Sequence, residues 1–149
     1  MAQTQWTDYL KLLRQLTETV EQLAEVERQK AGAASRGDVA GVDECMKREQ
    51  VLSLSLRGID QKRDKMIEQL GLRGVPLRDL VEHSPEGLEV ETRRVADTLR
   101  QQYEVFQAAS SAARNTLEVN LRAIELYCAE READPPKEME TRRQTDFRA

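Results

Sequence analysis

Between Arg36 and Leu72 the chain reads RGDVAGVDECMKREQVLSLSLRGIDQKRDKMIEQLGL, and this stretch limits the fold more than any other. Val42, Cys45, Leu52, Leu56, Ile59, Met66 and Leu70 recur at three- and four-residue steps. That period lines one stripe of an α-helix and cannot line one face of a strand. Glu49 and Arg63 fall in the same register. A helix buried on both sides does not usually carry two charges, so the stripe reads as a narrow seam against neighbouring helices, and the seam needs a partner.

The composition agrees with seams in place of a thick core. Of the 149 residues, 39% are hydrophobic and 34% charged, with a mean hydropathy of −0.69. Long helices that each bury one stripe fit such a polar chain. Seven Gly, four Pro and 4% aromatics leave little for a β-sandwich or barrel. The expected class is all-α: an elongated antiparallel helical hairpin plus a long third helix, as a helical bundle or coiled coil.

Helix 1 is expected over about residues 4–36, capped by Thr4 or Thr7. Trp6, Tyr9, Leu10, Leu13, Leu16, Val20, Leu23 and Val26 lie at helical spacing. KAGAASRGD then weakens the helix, and a tight reversal at Arg36–Asp38 makes helices 1 and 2 antiparallel. Helix 2 follows over about 38–70, with Gly71 as the left-handed residue past its end. Gly74 and Pro76 break the chain, and in PLRDLVEH a short helix or turn offers Leu77, Leu80 and Val81 to plug the end of the hairpin.

Ser84-Pro85-Glu86 resembles a helix start, with a hydroxyl cap, proline at the first position and an acid in the first turn. Helix 3 is expected over about 85–133. Its seam is Leu88, Val95, Leu99, Tyr103, Phe106, Ala109, Ala113, Leu117, Asn120, Ile124 and Tyr127. At Ala108–Ala113 the sequence AASSAA buries little area, which makes it a soft point or, equally, a close-packing patch. Residues 1–134 therefore form a single helical domain. After Pro135 and Pro136, residues 135–149 are expected to be a flexible C-terminal tail, in which Phe147 is the one aromatic and no anchor is assigned to it.

Several function classes are disfavoured. The net charge is −4, and basic residues alternate with acidic ones, so no nucleic acid partner is expected. No apolar run has the roughly 18 to 20 residues that membrane insertion needs. MAQTQWTDYLK lacks the pattern of a secretory signal, so a soluble, cytoplasmic protein is expected. Cys45 and Cys128 read as small packing residues, not a disulfide. The single histidine, His83, has no second ligand at metal spacing, and no phosphate loop or nucleophile motif is present. Catalytic residues, metal and cofactor are all expected to be none.

Surface remains: a long hairpin and a third helix can receive an amphipathic helix from a partner, or can serve as a homo-oligomeric coiled-coil spacer or a regulatory adaptor. The residues alone leave these open. The layout resembles the FlgN family of flagellar type III export chaperones. The likeness rests on the leucine-rich first helix, the RGDVAGVDECMKREQVLSLSLRGIDQKRDKMIEQLGL stretch, the LRDL segment and a last helix containing ARNTLEVNLRAIELY, and it covers about residues 6–130. Cys45 and Met46 stand where bulkier aliphatics are expected.

That resemblance implies a cytoplasmic chaperone for hook-filament junction proteins, FlgK and FlgL, which binds their C-terminal segments and delivers them to the flagellar export apparatus. A homodimer is the other partner to consider. Because helices 1 and 2 already face each other, client contacts are expected on the second half of helix 3. Leu117, Leu121, Ile124 and Tyr127 would supply apolar anchors and Asn120 would fix register. The same five positions equally suit the bundle core, since cores and interfaces share one periodicity.

Overall fold

The computed structural model describes residues 2–131, apart from the side chains of Ala2, Ile124 and Arg131. Helix α1 spans Ala2–Ser35, α2 Val39–Leu70 and α3 Glu89–Arg131, with a short 3-10 helix at Leu77–His83 between the last two. No strand occurs among the described residues, and the all-α hairpin with a long third helix is the fold observed. The tail at 135–149 lies outside the described residues.

The partner that α2 needs is α1, and α1 serves α3 as well. Along α1, Trp6, Tyr9, Leu10, Leu13, Leu16, Val20 and Leu23 are all at most 3% exposed. On α2 only Cys45 is buried. α2 and α3 each pack along α1, while their own Cα atoms stay more than 8 Å apart. Leu56, Ile59 and Met66 from α2, and Tyr103 and Phe106 from α3, reach the common cluster while staying partly exposed. The first helix, about 50 Å at 1.5 Å per residue, is thus the central element, with a half-buried helix on each side.

Two ties fix α3 along α1. At one end the Trp6 indole Nε1 donates to Thr92 Oγ1 at 2.9 Å, both buried. At the other the Asn120 amide donates to the Ala34 carbonyl. Both span 86 residues of sequence, so α3 runs parallel to α1, and α2 runs antiparallel to both. Trp6 also stacks edge-on against Tyr9, ring centroids 6.3 Å apart. Arg63, one of the two charges in the α2 seam, turns its guanidinium to the Tyr9 hydroxyl at 3.4 Å. The other, Glu49, pairs with Lys30 of α1 at 2.5 Å.

The hairpin reversal is built by two backbone bonds past the end of α1. Gly37 N–H donates to Ala34 O at 3.1 Å and Asp38 N–H to Ala33 O at 2.9 Å, with Gly37 at φ +69°. This pair of bonds is the Schellman closure, which needs a left-handed residue. Asp38 then caps α2 by accepting from Gly41 N at 2.9 Å. A methyl group on Gly41 would sit 2.8 Å from the Asp38 carboxyl carbon and 3.1 Å from Ala33 Cβ. Glycine, Ala33 and the small thiol of buried Cys45 let the two helices approach, which explains why no bulky aliphatic stands at position 45. Both cysteines are free. Gly71, at φ +68°, closes α2 in the same way, its successor Leu72 bonding back to Ile67 O at 2.9 Å.

Two helix starts differ from the sequence reading. Thr7 does not cap α1, which begins at Ala2; its hydroxyl donates to Gln3 O inside the helix at 2.9 Å. Helix 3 begins at Glu89, four residues later than expected, because Ser84 donates its hydroxyl to Val81 O at 2.7 Å and so closes the 3-10 helix instead. Gly87 at φ +89° then turns the chain, and Thr92 N–H to Leu88 O at 2.9 Å is the first helical bond. Of the expected plug residues, Leu80 is buried in the main cluster and Leu77 packs against it partly exposed, Val81 is not among the cluster residues, and Leu72 joins instead. The AASSAA segment is continuous helix, with Ala113 fully buried and Ala108, Ser111 and Ala112 exposed.

Thr92→Val keeps the shape of the residue and removes the acceptor of a buried indole N–H. The variant is expected to lose about 1–3 kcal/mol of unfolding free energy, the cost of one stranded buried donor. Urea unfolding followed by circular dichroism checks it, with Thr92→Ser, which retains the hydroxyl, as the control that stays closer to the parent.

Candidate functional site

A depression of about 590 Å³ opens where the hairpin turn meets the second half of α3. One wall is Leu117, Asn120, Leu121 and Ala123 of α3; the other is Val39 and Val42 at the start of α2, with Ala34 to Asp38 between them. Val39 is 80% exposed, and Val42, Leu117 and Leu121 are half-buried. Apolar side chains thus line both walls, and polar groups sit in the turn.

The elements explain this geometry. The Gly37 turn and the Asp38 cap start α2 abruptly, so Val39 stands at its first position, outside the seam that packs on α1. α3 passes the turn and continues beyond the end of α1, which leaves its last turns without a core to cover. Beyond the depression Leu126 is 67% exposed and Tyr127 54%.

Of the five positions singled out on helix 3, the structure brings Leu117, Asn120 and Leu121 into one wall. Tyr127 lies further along the same helix, and Ile124 lies on it too, its side chain outside the described ones. Asn120 serves the fold: its amide reaches an end carbonyl of α1 that also accepts from Gly37 N–H. The last carbonyls of any helix lack partners within it, so a side-chain amide is a fitting cap. Val39 was missed by seam-reading, although a β-branched residue directly after an Asp cap and out of register with the seam is a visible signal.

A second depression, about 640 Å³, lies between the first halves of α1 and α3. Arg14, Glu18, Glu21, Glu91 and Arg94 line it, and Arg14 pairs with Glu91 across it. Its charged walls suit solvent better than an apolar ligand. No cluster of three or more His, Cys, Asp or Glu able to hold a metal occurs among the described residues. No described helix is long and apolar enough to cross a membrane.

If Asn120 holds α3 on the turn, Asn120→Ala should cost about 1 kcal/mol, the usual net worth of one hydrogen bond. Amide exchange should quicken at Ala34–Val42 while the Trp6 end is unaffected. A silent substitution would mean the amide is dispensable to the fold.

The sequence model of the FlgN protein family matches residues 1–129. No curated protein and no solved structure matches the chain.

Proposed function

The chain belongs to the FlgN family, a family of non-enzymatic flagellar export chaperones that bind hook-associated proteins, and from that premise we propose how it works. It acts in the cytoplasm on hook-filament junction proteins of the FlgK and FlgL type, holds their C-terminal helical segments and delivers them to the type III export gate.

The observation that carries this reading is the apolar depression at the hairpin turn, with Leu117 and Leu121 facing Val39 and Val42. An amphipathic client helix laid between these walls would cover its own apolar face and the exposed valine together. Tyr127 lies further along α3, 54% exposed, where a longer client helix would reach it. Asn120 contributes by alignment: it holds α3 against the turn and so sets the distance between the walls. A chaperone must also let go, and micromolar affinity, about 8 kcal/mol, is enough to shield a client and still release it.

Exposed Val39 gives a clean test, because changing it touches little of the core. Val39→Asp and Leu121→Asp are each expected to weaken binding of a hook-filament junction protein's C-terminal segment about tenfold or more, a loss of about 1.4 kcal/mol or above. Val39→Asp should leave the melting temperature unchanged. Calorimetric titration reads the affinity; unchanged affinity in both variants would remove the depression as the client site.

A homodimer is a second reading, supported by one feature. Val105, Val119 and Leu126 are exposed on α3, and with Ala112 they recur every seven residues, which supplies one of the two apolar positions per heptad that a coiled-coil seam uses. Sedimentation over a range of concentrations separates a dimer from a monomer.

A further inference from the structure

Glu27 is 4% exposed, although acids are seldom buried unless paired. Its Oε2 lies 3.1 Å from Lys30 Nζ, and the same ammonium lies 2.5 Å from Glu49 Oε2 of α2. The Glu27 and Glu49 carboxyls thus meet at one ammonium. Two acids and one base are thus enclosed between α1 and α2, with side-chain exposures of 5% for Glu27, 12% for Lys30 and 29% for Glu49. Arg48, the neighbouring cation on α2, is turned to Gln29 at 2.5 Å. From α3, on the other side of α1, no titratable group among the described residues acts on Glu27.

We propose that Glu27, Lys30 and Glu49 form a proton-operated latch on the α1–α2 hairpin, which mild acid tightens. With both acids ionised the enclosed cluster carries one uncompensated negative charge. A proton taken from solvent onto Glu27 leaves one carboxylate against one ammonium, and the new O–H donates to Glu49. The latch sits between the buried cluster and the hairpin turn, so it governs how firmly the turn end is closed.

The electrostatics agree in sign. Burial first, then the hydrogen bond with Glu49, raises the Glu27 value above 4.5 despite Lys30. Burial also acts to raise Glu49, but its hydrogen bonds with Glu27 and Lys30 prevail and lower it. A raised acid binds its proton more tightly when folded, so stability grows as pH falls from above the folded Glu27 value towards 4.5. A lowered acid contributes stability above its ordinary value and loses it as pH falls through its folded value, so the Glu49 contribution fades below 4.5. The two windows do not overlap. Lys30, raised because its carboxylate bonds outweigh burial, loses its contribution only above 10.5.

The test uses the full chain. Carbon-detected NMR titration of the glutamate carboxyls should find Glu27 titrating above the ordinary range, and Glu49→Gln should bring Glu27 down. In urea unfolding at about pH 5 and about pH 7.5, Glu27→Gln should match the parent in acid and exceed it near neutrality, so that its folded-to-unfolded ratio gains on the parent as pH rises. The proposal is overturned if Glu27 titrates at its ordinary value, or if the parent and Glu27→Gln respond identically to pH. A variant less stable than the parent at both pH values overturns it as well, since the ionised acid would then be what the fold uses. Should Glu27→Gln fail to fold, the carboxyl titration of the parent and of Glu49→Gln decides alone.

Discussion

α1 has to satisfy two helices at once, and the rest of the domain follows from that demand. Most of the large, fully buried side chains belong to it, Leu10, Leu13, Leu16, Val20, Leu23 and Val26 among them. α2 and α3 each cover one flank, and side chains they send to the common cluster, such as Ile59 and Tyr103, stay partly exposed. Apolar burial at about 25 cal/mol per Å² therefore concentrates along a single helix. Polar groups caught in that burial are matched locally. Thr17 and Thr19 return their hydroxyls to carbonyls of their own helix, and Trp6 finds Thr92.

The same arrangement shapes the candidate site. Because α2 and α3 are held by α1 and not by each other, the space between them is left unfilled where α1 stops. α1 stops at Ser35, α2 starts at Val39 and α3 runs on to Arg131. At that end two helices present apolar residues that a third no longer covers. On the proposed reading, a helix supplied from outside would meet there the environment that α1 provides elsewhere, which is how a domain of this shape would shield a helical client.

Much of this was legible in the sequence, and the failures are instructive. Helical spacing located all three long helices, and glycine with aspartate located the reversal, because Gly37 and Gly71 occupy left-handed positions that other residues resist. Spacing did not reveal which helix is central. The α2 stripe is as regular as that of α1, and only the number of neighbours distinguishes them. Capping residues misled at Thr7 and Ser84, since a hydroxyl can serve the carbonyl of a preceding turn as well as an amide ahead of it. At the site, Leu117 was found by periodicity, whereas Leu121, outside the seam register, came from placing client contacts on the second half of helix 3. Val39 was not, because an exposed wall residue need not keep the period of a buried seam. Asn120 was legible as a polar break, yet its acceptor, a carbonyl 86 residues away, is a property of the fold alone.

The most direct measurement of the central claim is hydrogen–deuterium exchange of the full chain, alone and with the C-terminal segment of a hook-filament junction protein. The account predicts slower exchange on binding at the hairpin turn, residues 34–42, and at 117–127 of α3, with the charged depression near Arg14 and Glu91 unchanged. Protection confined to the Arg14–Glu91 end, or binding with no protection at the turn, would contradict it.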